Sequence, residues 1–172
     1  MLRYLMLFPL FLSFVNSYAI EEAKPVFDDR KWMLAWSKFQ NSSGTGKPVF
    51  DEYVISGETV DNWSELVTVQ FFPGLNKDIN LDVFEAQNKA SLTAVCPNVD
   101  WQSLYQKPNE RMWLFTSKDC SGQPDQSELA KVVKTDEGIH FFHYAIKKAP
   151  MPELTKETWK QNLISIQIKK AG

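Results

Sequence analysis

Histidine and cysteine are scarce in this chain, with two of each among its 172 residues. The sequence contains no His-Glu-x-x-His, Cys-x-x-Cys or Gly-x-Ser-x-Gly, so it lacks the signatures of zinc proteases, dithiol oxidoreductases and serine hydrolases. The formal net charge of −2 gives no electrostatic reason to expect a nucleic-acid partner. We therefore expect no metal, no cofactor and no nucleic acid to take part in its function.

Long apolar runs are missing after the first 19 residues. The chain begins MLRYLMLFPLFLSFVNSYA, in which Arg3 gives a basic start, residues 5–15 are mostly apolar, and Ser17 and Ala19 have the small side chains of a cleavage site. The apolar run is shorter than the roughly 20 residues that a membrane-spanning helix needs. We predict a signal peptide at 1–19 and a single domain at 20–172, secreted or periplasmic, monomeric and not membrane-spanning.

The two cysteines, Cys96 and Cys120, are expected to form one structural disulfide, because an exported protein folds in an oxidising compartment and the count is even. Such a bond would close a loop of about 25 residues and stabilise the fold by roughly 3 to 4 kcal/mol on the chain-entropy estimate. A reactive thiol pair is the alternative, but the Cys-x-x-Cys spacing typical of one is absent.

Alternating apolar and polar residues predict most of the secondary structure. Pro73 and Gly74 end one of these alternating runs, and the turn Asp136-Glu137-Gly138, in which Gly138 could take a positive φ, separates two others. The predicted strands lie at 31–40, 49–57, 66–72, 111–117, 129–135 and 139–146, with a loop at 41–48.

The periodicity changes between Asn80 and Val95, where it predicts one long helix ended by Pro97. Val83, Ala86, Ala90 and Ala94 form one stripe of this helix and are expected to pack on the sheet. A second helix is predicted at 155–168, with a short strand possible at its end. The fold class is therefore α+β, with an antiparallel sheet of five or six strands and helices packed largely on one face.

His140 and His143 are the only histidines and could share a metal if they lay on a helix. Their surroundings predict a strand, in which residues three apart point to opposite faces. We therefore expect two separate histidines rather than a metal site.

The segment GETVDNWSELVTVQFF at 57–72 places Glu58, Asp61 and Glu65 ahead of an apolar alternation. Paired carboxylates are what glycoside hydrolysis needs, so Glu58 and Glu65 are the candidate catalytic pair. The alternative that we favour is structural, with Asp61 or Asn62 capping a one-turn helix that Glu65 completes and with Trp63 buried behind it. A ligand-binding rim is a third possibility.

Aromatic side chains raise the same choice between core and binding surface. Trp32, Trp63, Trp113 and Phe142 fall in or beside predicted strands and are expected in the core. Trp101 and Tyr105 lie in the predicted loop between the two cysteines, so we expect these two to bind the ligand.

The residues Gly57-Glu58-Thr59, Asn62-Trp63-Ser64-Glu65 and Val67-Thr68-Val69-Gln70 resemble a segment of uncharacterised exported proteins of Gram-negative bacteria. The whole layout is similar to the novel type II secretion substrates of Legionella and relatives, and the strand order resembles the PsbP-like α+β fold. These resemblances imply an exported bacterial protein with an envelope or host-facing role, virulence included, and supply no catalytic residues.

The function that we predict is a non-enzymatic binding protein for a protein, glycan or lipid partner. The alternative is a carboxylate-dependent hydrolase that acts on envelope or host polymers through Glu58 and Glu65. A structural subunit of an envelope assembly is a third class, which concentration-dependent oligomers would reveal.

Overall fold

A computed structural model describes residues 21–39, 48–75, 79–120 and 122–170. The predicted signal peptide at 1–19 and most of the loop predicted at 41–48 lie outside these ranges. The elements, in chain order, are β1 (Glu21–Ala23), β2 (Trp32–Phe39), β3 (Pro48–Ile55), β4 (Glu65–Pro73), α1 (Leu81–Val95), β5 (Val99–Lys107), β6 (Glu110–Ser117), β7 (Gln126–Lys134), β8 (Gly138–Ile146), α2 (Glu153–Ser165) and β9 (Ile168–Lys170).

Seven strands form one antiparallel sheet in the order β2-β3-β4-β8-β7-β6-β5, and β1 pairs with β9 in a separate two-stranded sheet. The α+β class and the antiparallel sheet are confirmed. The strand number is larger than the five or six predicted from the sequence. No helix in the described part of the chain is both long enough and apolar enough to cross a membrane.

Within the seven-stranded sheet, the strand that the sequence does not reveal is β5, which was predicted as a loop; the short strand β1 was not predicted either. The register of β5 shifts between Ser103 and Tyr105, so a β-bulge interrupts the alternation. Val99 and Trp101 keep one phase, whereas Leu104 and Tyr105 follow each other directly. A period of two is therefore not visible across the whole strand.

The two helices cover opposite faces of the sheet. Trp159 and Leu163 of α2 pack in one core with Leu129 and Phe142, which we call the α2 face. Leu81 of α1 packs in the other core with Ala130 and Phe141, which are the immediate neighbours of Leu129 and Phe142 along their strands. We call this side of the sheet the α1 face. Because neighbouring strand residues point to opposite sides, the expectation that the helices pack largely on one face is wrong.

Helix α1 also presents a different stripe to the sheet from the one predicted. Leu81 and Glu85 are buried and Phe84 and Leu92 pack against the core. The predicted stripe of Val83, Ala86, Ala90 and Ala94 is exposed instead. The observed stripe places larger apolar side chains against the sheet, and burying more apolar area stabilises the helix more than close packing of alanines.

The predicted disulfide is confirmed. Cys96 follows the last residue of α1, Cys120 lies beyond the end of β6, and their Cα atoms are 4.9 Å apart. Both residues are buried. The bond therefore fastens the C-terminal end of α1 to the end of a strand that lies beneath this helix.

Candidate functional site

A cleft of about 310 Å³ lies between α1 and the α1 face of the sheet. Asn88, Ser91 and Leu92 line it from the helix. The sheet contributes side chains from four adjacent strands, which are Trp101, Trp113, Phe115, Glu128, Phe141 and His143. Strands β5 to β8 follow one another along the chain and pair in the same order in the sheet, so consecutive antiparallel pairing assembles this surface.

Stacked aromatic rings form the wall of the cleft. Trp101 lies opposite Phe115 in the pairing of β5 with β6, and the two ring centroids are 5.8 Å apart at an interplanar angle of 8°. Trp101 also stacks on Trp113, with a centroid distance of 5.5 Å, and Trp113 contacts Phe141 at the same distance. Residues two apart on a strand share a face, so a continuous aromatic surface results.

Trp101 is held in this wall by the helix above it. Its indole Nε1 donates a hydrogen bond to Oε1 of Glu85 over 3.2 Å, and Glu85 is only 8% exposed. This contact gives the buried carboxylate a hydrogen-bond donor, which lowers the cost of its burial. Trp101 therefore lies half-buried on a strand rather than in a surface loop.

The polar end of the cleft is the pair His143 and Glu128. Nδ1 of His143 lies 2.6 Å from Oε1 of Glu128, and the imidazole ring lies 3.8 Å from the ring of Phe141, centroid to centroid. Nε2 of His143 is buried and has no hydrogen-bond partner among the described residues. Buried polar atoms are normally paired, so this nitrogen is an exception, and it has almost no accessible surface towards the cleft.

Tyr105 lies on the opposite face from Trp101, because the bulge changes the phase of β5. Its hydroxyl donates to Oε2 of Glu110 over 3.0 Å, and Nζ of Lys107 lies 5.0 Å from its ring centroid. Burial, followed by the contact with Glu110, raises the pKa of Tyr105. The structure therefore does not bring together the two side chains that were predicted to bind the ligand.

The two histidines are separated, as their odd spacing predicts. His140 lies on the α2 face with Nε2 at 3.1 Å from Oε2 of Glu21, whereas His143 lines the cleft on the α1 face. Within the ranges that the structure describes, no cluster of three or more His, Cys, Asp or Glu side chains is arranged to hold a metal ion.

The one-turn helix predicted around Asp61 and Asn62 is wrong. Thr59 and Asn62 instead form an isolated antiparallel bridge, and Glu58 accepts hydrogen bonds from the backbone N–H of Ser64 over 2.9 Å and from its Oγ over 2.6 Å. Burial opposes ionisation of Glu58, but the hydrogen bonds from Ser64 outweigh it and the pKa of Glu58 is lowered. A general acid needs the opposite shift.

Glu65 is the first residue of β4 rather than part of a cap. Both of its carboxylate oxygens accept hydrogen bonds from Arg30, each over 2.6 Å, and the hydroxyl of Tyr144 donates to Oε2. Arg30 also binds Asp28. Through these contacts, Glu65 connects the start of β4 to the segment before β2.

The expected core aromatics divide into two groups. Trp113 and Phe142 are fully buried, as predicted. Trp32 and Trp63 are only half-buried, and Trp63 packs beneath Nζ of Lys147 at 4.4 Å from its ring centroid.

Trp101 is the one side chain predicted from the sequence to bind a ligand that also lines the cleft. The spacing of Trp113 and Phe115, and of Phe141 and His143, shows that each pair shares a strand face. No local pattern indicates that these faces lie under Asn88 and Ser91.

No protein-family model matches the chain, and no match is found among the curated proteins.

Proposed function

We propose that this protein is a non-enzymatic binding protein whose cleft between α1 and the sheet holds a small, largely apolar aromatic ligand. The observation that carries this proposal is the cleft of about 310 Å³, which is lined by the stacked rings of Trp101, Trp113 and Phe115. Small-molecule sites are typically concave, mostly apolar and lined by a few polar groups, and their volumes begin at about 300 Å³.

The chemistry of the walls selects the ligand class. Offset stacking on Trp101 and Phe115 favours a flat ring over a branched aliphatic chain, because the planar surfaces meet over their whole area. The volume suits one or two fused rings rather than a lipid chain or a polysaccharide. The proposed ligand is therefore a small aromatic compound rather than a lipid or a glycan.

The cellular role is part of the same proposal. The disulfide between Cys96 and Cys120 is compatible with an oxidising compartment, secreted or periplasmic. The likeness of residues 57–70 to exported proteins of Gram-negative bacteria supports a role at the envelope or towards a host. The contacts of Glu58 and Glu65 give the hydrolase alternative no support.

The test is binding of benzene, toluene and indole to the wild-type protein, measured by saturation-transfer NMR and by the shift in melting temperature. We expect Trp101→Leu to weaken binding by about tenfold or more, because it removes the central ring of the wall. Trp36→Leu is the matched control. Trp36 is an exposed tryptophan, 41% accessible, that packs on Phe50 and does not line the cleft.

A second variant keeps the test independent of the stability of the tryptophan variant. Ser91→Phe places a ring into the cleft from an exposed helix position, so it should block binding while the protein stays folded by circular dichroism. Failure of every aromatic probe to bind the wild type would contradict the proposal. Equal losses in Trp101→Leu and Trp36→Leu would place the binding elsewhere on the protein.

A further inference from the structure

Helix α1 covers only part of the α1 face of the sheet. It lies mainly over β5 and β6, at the opposite side of the sheet from β2 and β3. Tyr53 of β3 packs in the core on the α2 face, so Glu52 and Phe50, one and three residues earlier, point to the α1 face. Trp36 of β2 lies opposite Glu52 in the strand pairing and shares this face. We call the surface formed by Trp36, Phe50 and Glu52 the β3 patch.

Two aromatic rings meet nearly at a right angle in the β3 patch. The ring centroids of Trp36 and Phe50 are 5.1 Å apart, and the ring planes are inclined by 80°. Rings in this arrangement can both turn a face towards one corner, and Trp36 is an exposed side chain. The face of an aromatic ring carries the negative part of its quadrupole and attracts cations. The pair therefore offers a cation two ring faces.

Glu52 places a carboxylate beside these rings. In strand geometry its Cβ lies roughly 5 Å from that of Trp36 and about 7 Å from that of Phe50. The side chain is half-buried, and none of the described residues makes a hydrogen bond or an ion pair with it. Burial raises the pKa of Glu52, and no neighbouring cation opposes this shift. The carboxylate has therefore lost part of its hydration without gaining a partner.

Lys38 is a cation near the β3 patch, but it is not the partner of Glu52. It lies opposite Phe50 in the strand pairing, so its side chain starts from the same face. The side chain is exposed, and these two described residues form no ion pair with each other. A lysine ammonium is strongly hydrated and sits on a flexible stem, so water competes with this contact. The carboxylate of Glu52 thus stays open to a ligand.

The chemistry of the β3 patch selects the kind of cation. A metal ion such as calcium takes roughly six to eight oxygen ligands, whereas the patch supplies one carboxylate. A primary ammonium loses hydrogen bonds to water when it packs on ring faces. A quaternary ammonium has no N–H group, and its methyl groups pack directly on aromatic rings. The patch therefore fits a quaternary ammonium best.

We propose that the β3 patch binds a small quaternary ammonium group of the choline class. The methyl groups lie against Trp36 and Phe50, and the charge lies beside Glu52. These residues do not line the cleft under α1, so this site is a second one and does not depend on the proposed function. The same group occurs in free choline and in the headgroup of phosphatidylcholine, and each source has its own arm in the experiment.

The experiment compares choline with 3,3-dimethyl-1-butanol, in which a carbon atom replaces the charged nitrogen, by NMR titration of the protein. The two compounds have the same shape, so the ratio of their dissociation constants isolates the charge. We expect the wild type to prefer choline by about tenfold, the combined effect of ring faces and a carboxylate on a partly exposed surface. Glu52→Gln and Trp36→Leu should each reduce this preference by about threefold.

Two matched variants serve as controls. Asp51→Asn removes the carboxylate of the preceding residue, which points to the other face and accepts a hydrogen bond from Ser37 over 2.7 Å, so it should leave the preference unchanged. Lys38→Gln removes a cation that repels the ligand, so it should not reduce the preference. Circular dichroism checks the fold of each variant, and Glu52→Gln tests the site by itself if Trp36→Leu fails to fold.

Vesicles of phosphatidylcholine distinguish the two sources of the quaternary ammonium. Cosedimentation of the wild type that is lost in Glu52→Gln would assign the site to the lipid headgroup. If free choline binds and the vesicles do not, the site is one for a soluble compound.

Equal affinity of the wild type for choline and for the neutral alcohol would overturn the inference. A preference for choline that survives in Glu52→Gln and in Trp36→Leu, or one that is lost in Lys38→Gln, would overturn it as well. A preference that is lost in Trp101→Leu but kept in Trp36→Leu would place the cation in the cleft, which overturns the inference while the proposed function stands.

Discussion

Gly138, at the start of β8, is a residue whose missing side chain allows two strands to approach. Among the described residues, the glycines with a positive φ are Gly57, Gly74 and Gly122, so the expectation of a positive φ at Gly138 finds no support. A Cβ at Gly138 would instead collide with the carbonyl oxygen of Phe72 and lie 2.9 Å from the ring of Phe71. Glycine is needed at this position because the backbone of β4 comes too close to leave room for a side chain.

Gly138→Ala should therefore lower the free energy of unfolding by about 1 to 3 kcal/mol, because the pairing of β4 with β8 must shift to accommodate the methyl group. Urea denaturation measures the change. Gly122→Asn is the control, since Gly122 has open space around its Cβ position and asparagine tolerates its positive φ. If Gly138→Ala left the free energy of unfolding unchanged, the pairing of β4 with β8 would be able to accommodate the methyl group without cost.

His140 makes stability depend on pH. Burial lowers the pKa of His140 below its ordinary 6.5, and the hydrogen bond and charge of Glu21 only partly oppose this. Below the ordinary pKa the unfolded chain binds a proton that the folded protein resists, so stability falls as the pH decreases from about 6.5 towards the lowered value.

We expect unfolding in urea to require less denaturant at pH 5.5 than at pH 7.5 in the wild type, and the difference to shrink in His140→Phe. Phenylalanine preserves the stacking on Phe71, whose ring centroid is 4.4 Å away. Glu21→Gln is the companion variant. It removes the group that favours the protonated histidine, so the loss of stability in acid should persist; an unchanged pH dependence in His140→Phe would assign the effect to other groups.

At the scale of elements, the ends of α1 are fixed by specific contacts. Oδ1 of Asn80 accepts a hydrogen bond from the backbone N–H of Asp82 over 2.8 Å, and Oδ1 of Asp82 binds Nε of Arg111 on β6 at the same distance. The disulfide holds the other end. Loss of the Asn80 cap should therefore loosen the helix that covers the cleft.

Asn80→Ala should lower the free energy of unfolding by about 1 kcal/mol, the usual contribution of an N-cap side chain. Thr93→Ala, on an exposed position late in the same helix, should change it by no more than about 0.5 kcal/mol. Chemical denaturation of both variants checks the difference. Equal effects would mean that the cap hydrogen bond contributes nothing measurable.

Most of the strands could be predicted because they are rich in β-branched and aromatic residues, and some also alternate between apolar and polar residues. In β4, for example, Val67 and Val69 share one face while Thr68 and Gln70 share the other. Prediction failed where a tertiary contact overrides the local pattern. The bulge conceals β5, and α1 buries Glu85 because Trp101 of the strand that follows this helix donates to it.

The cleft could not be predicted as a unit for a related reason. Its walls come from α1 and the four strands that follow it, which pair in consecutive order, and the choice of the sheet face that α1 covers is a tertiary feature. Trp101 could be identified as a candidate by its residue type alone. Its stacking on Phe115 and its distance from Tyr105 follow from a register that local periodicity does not encode.

On the scale of the whole molecule, one sheet separates two cores. Leu81 belongs to the core on the α1 face and Leu163 to the core on the α2 face, and both side chains are buried. The sheet between them shares its backbone with both cores but keeps their side chains apart. Packing defects in one core should therefore leave the other unaffected.

Leu81→Ala and Leu163→Ala should each cost about 2 to 5 kcal/mol, and the double variant should show the sum of the two within about 0.5 kcal/mol. Trp101→Leu with Phe115→Leu is the contrasting pair, because these rings stack on each other and their effects should not add. Thermal and chemical denaturation of the four single and two double variants gives both coupling energies. Strong coupling between Leu81 and Leu163 would show that the sheet transmits strain between the cores.

The two histidines, one on each face, have a practical consequence for spectroscopy. His140 lies in the layer that holds Glu21 of β1, and His143 lies in the layer that contains the cleft. Since the chain has no other histidine, the two imidazole Hε1 resonances, one from each ring, report separately on the two layers in an NMR spectrum. A compound that fills the cleft should move the resonance of His143 alone, whereas detachment of β1 should move that of His140 alone.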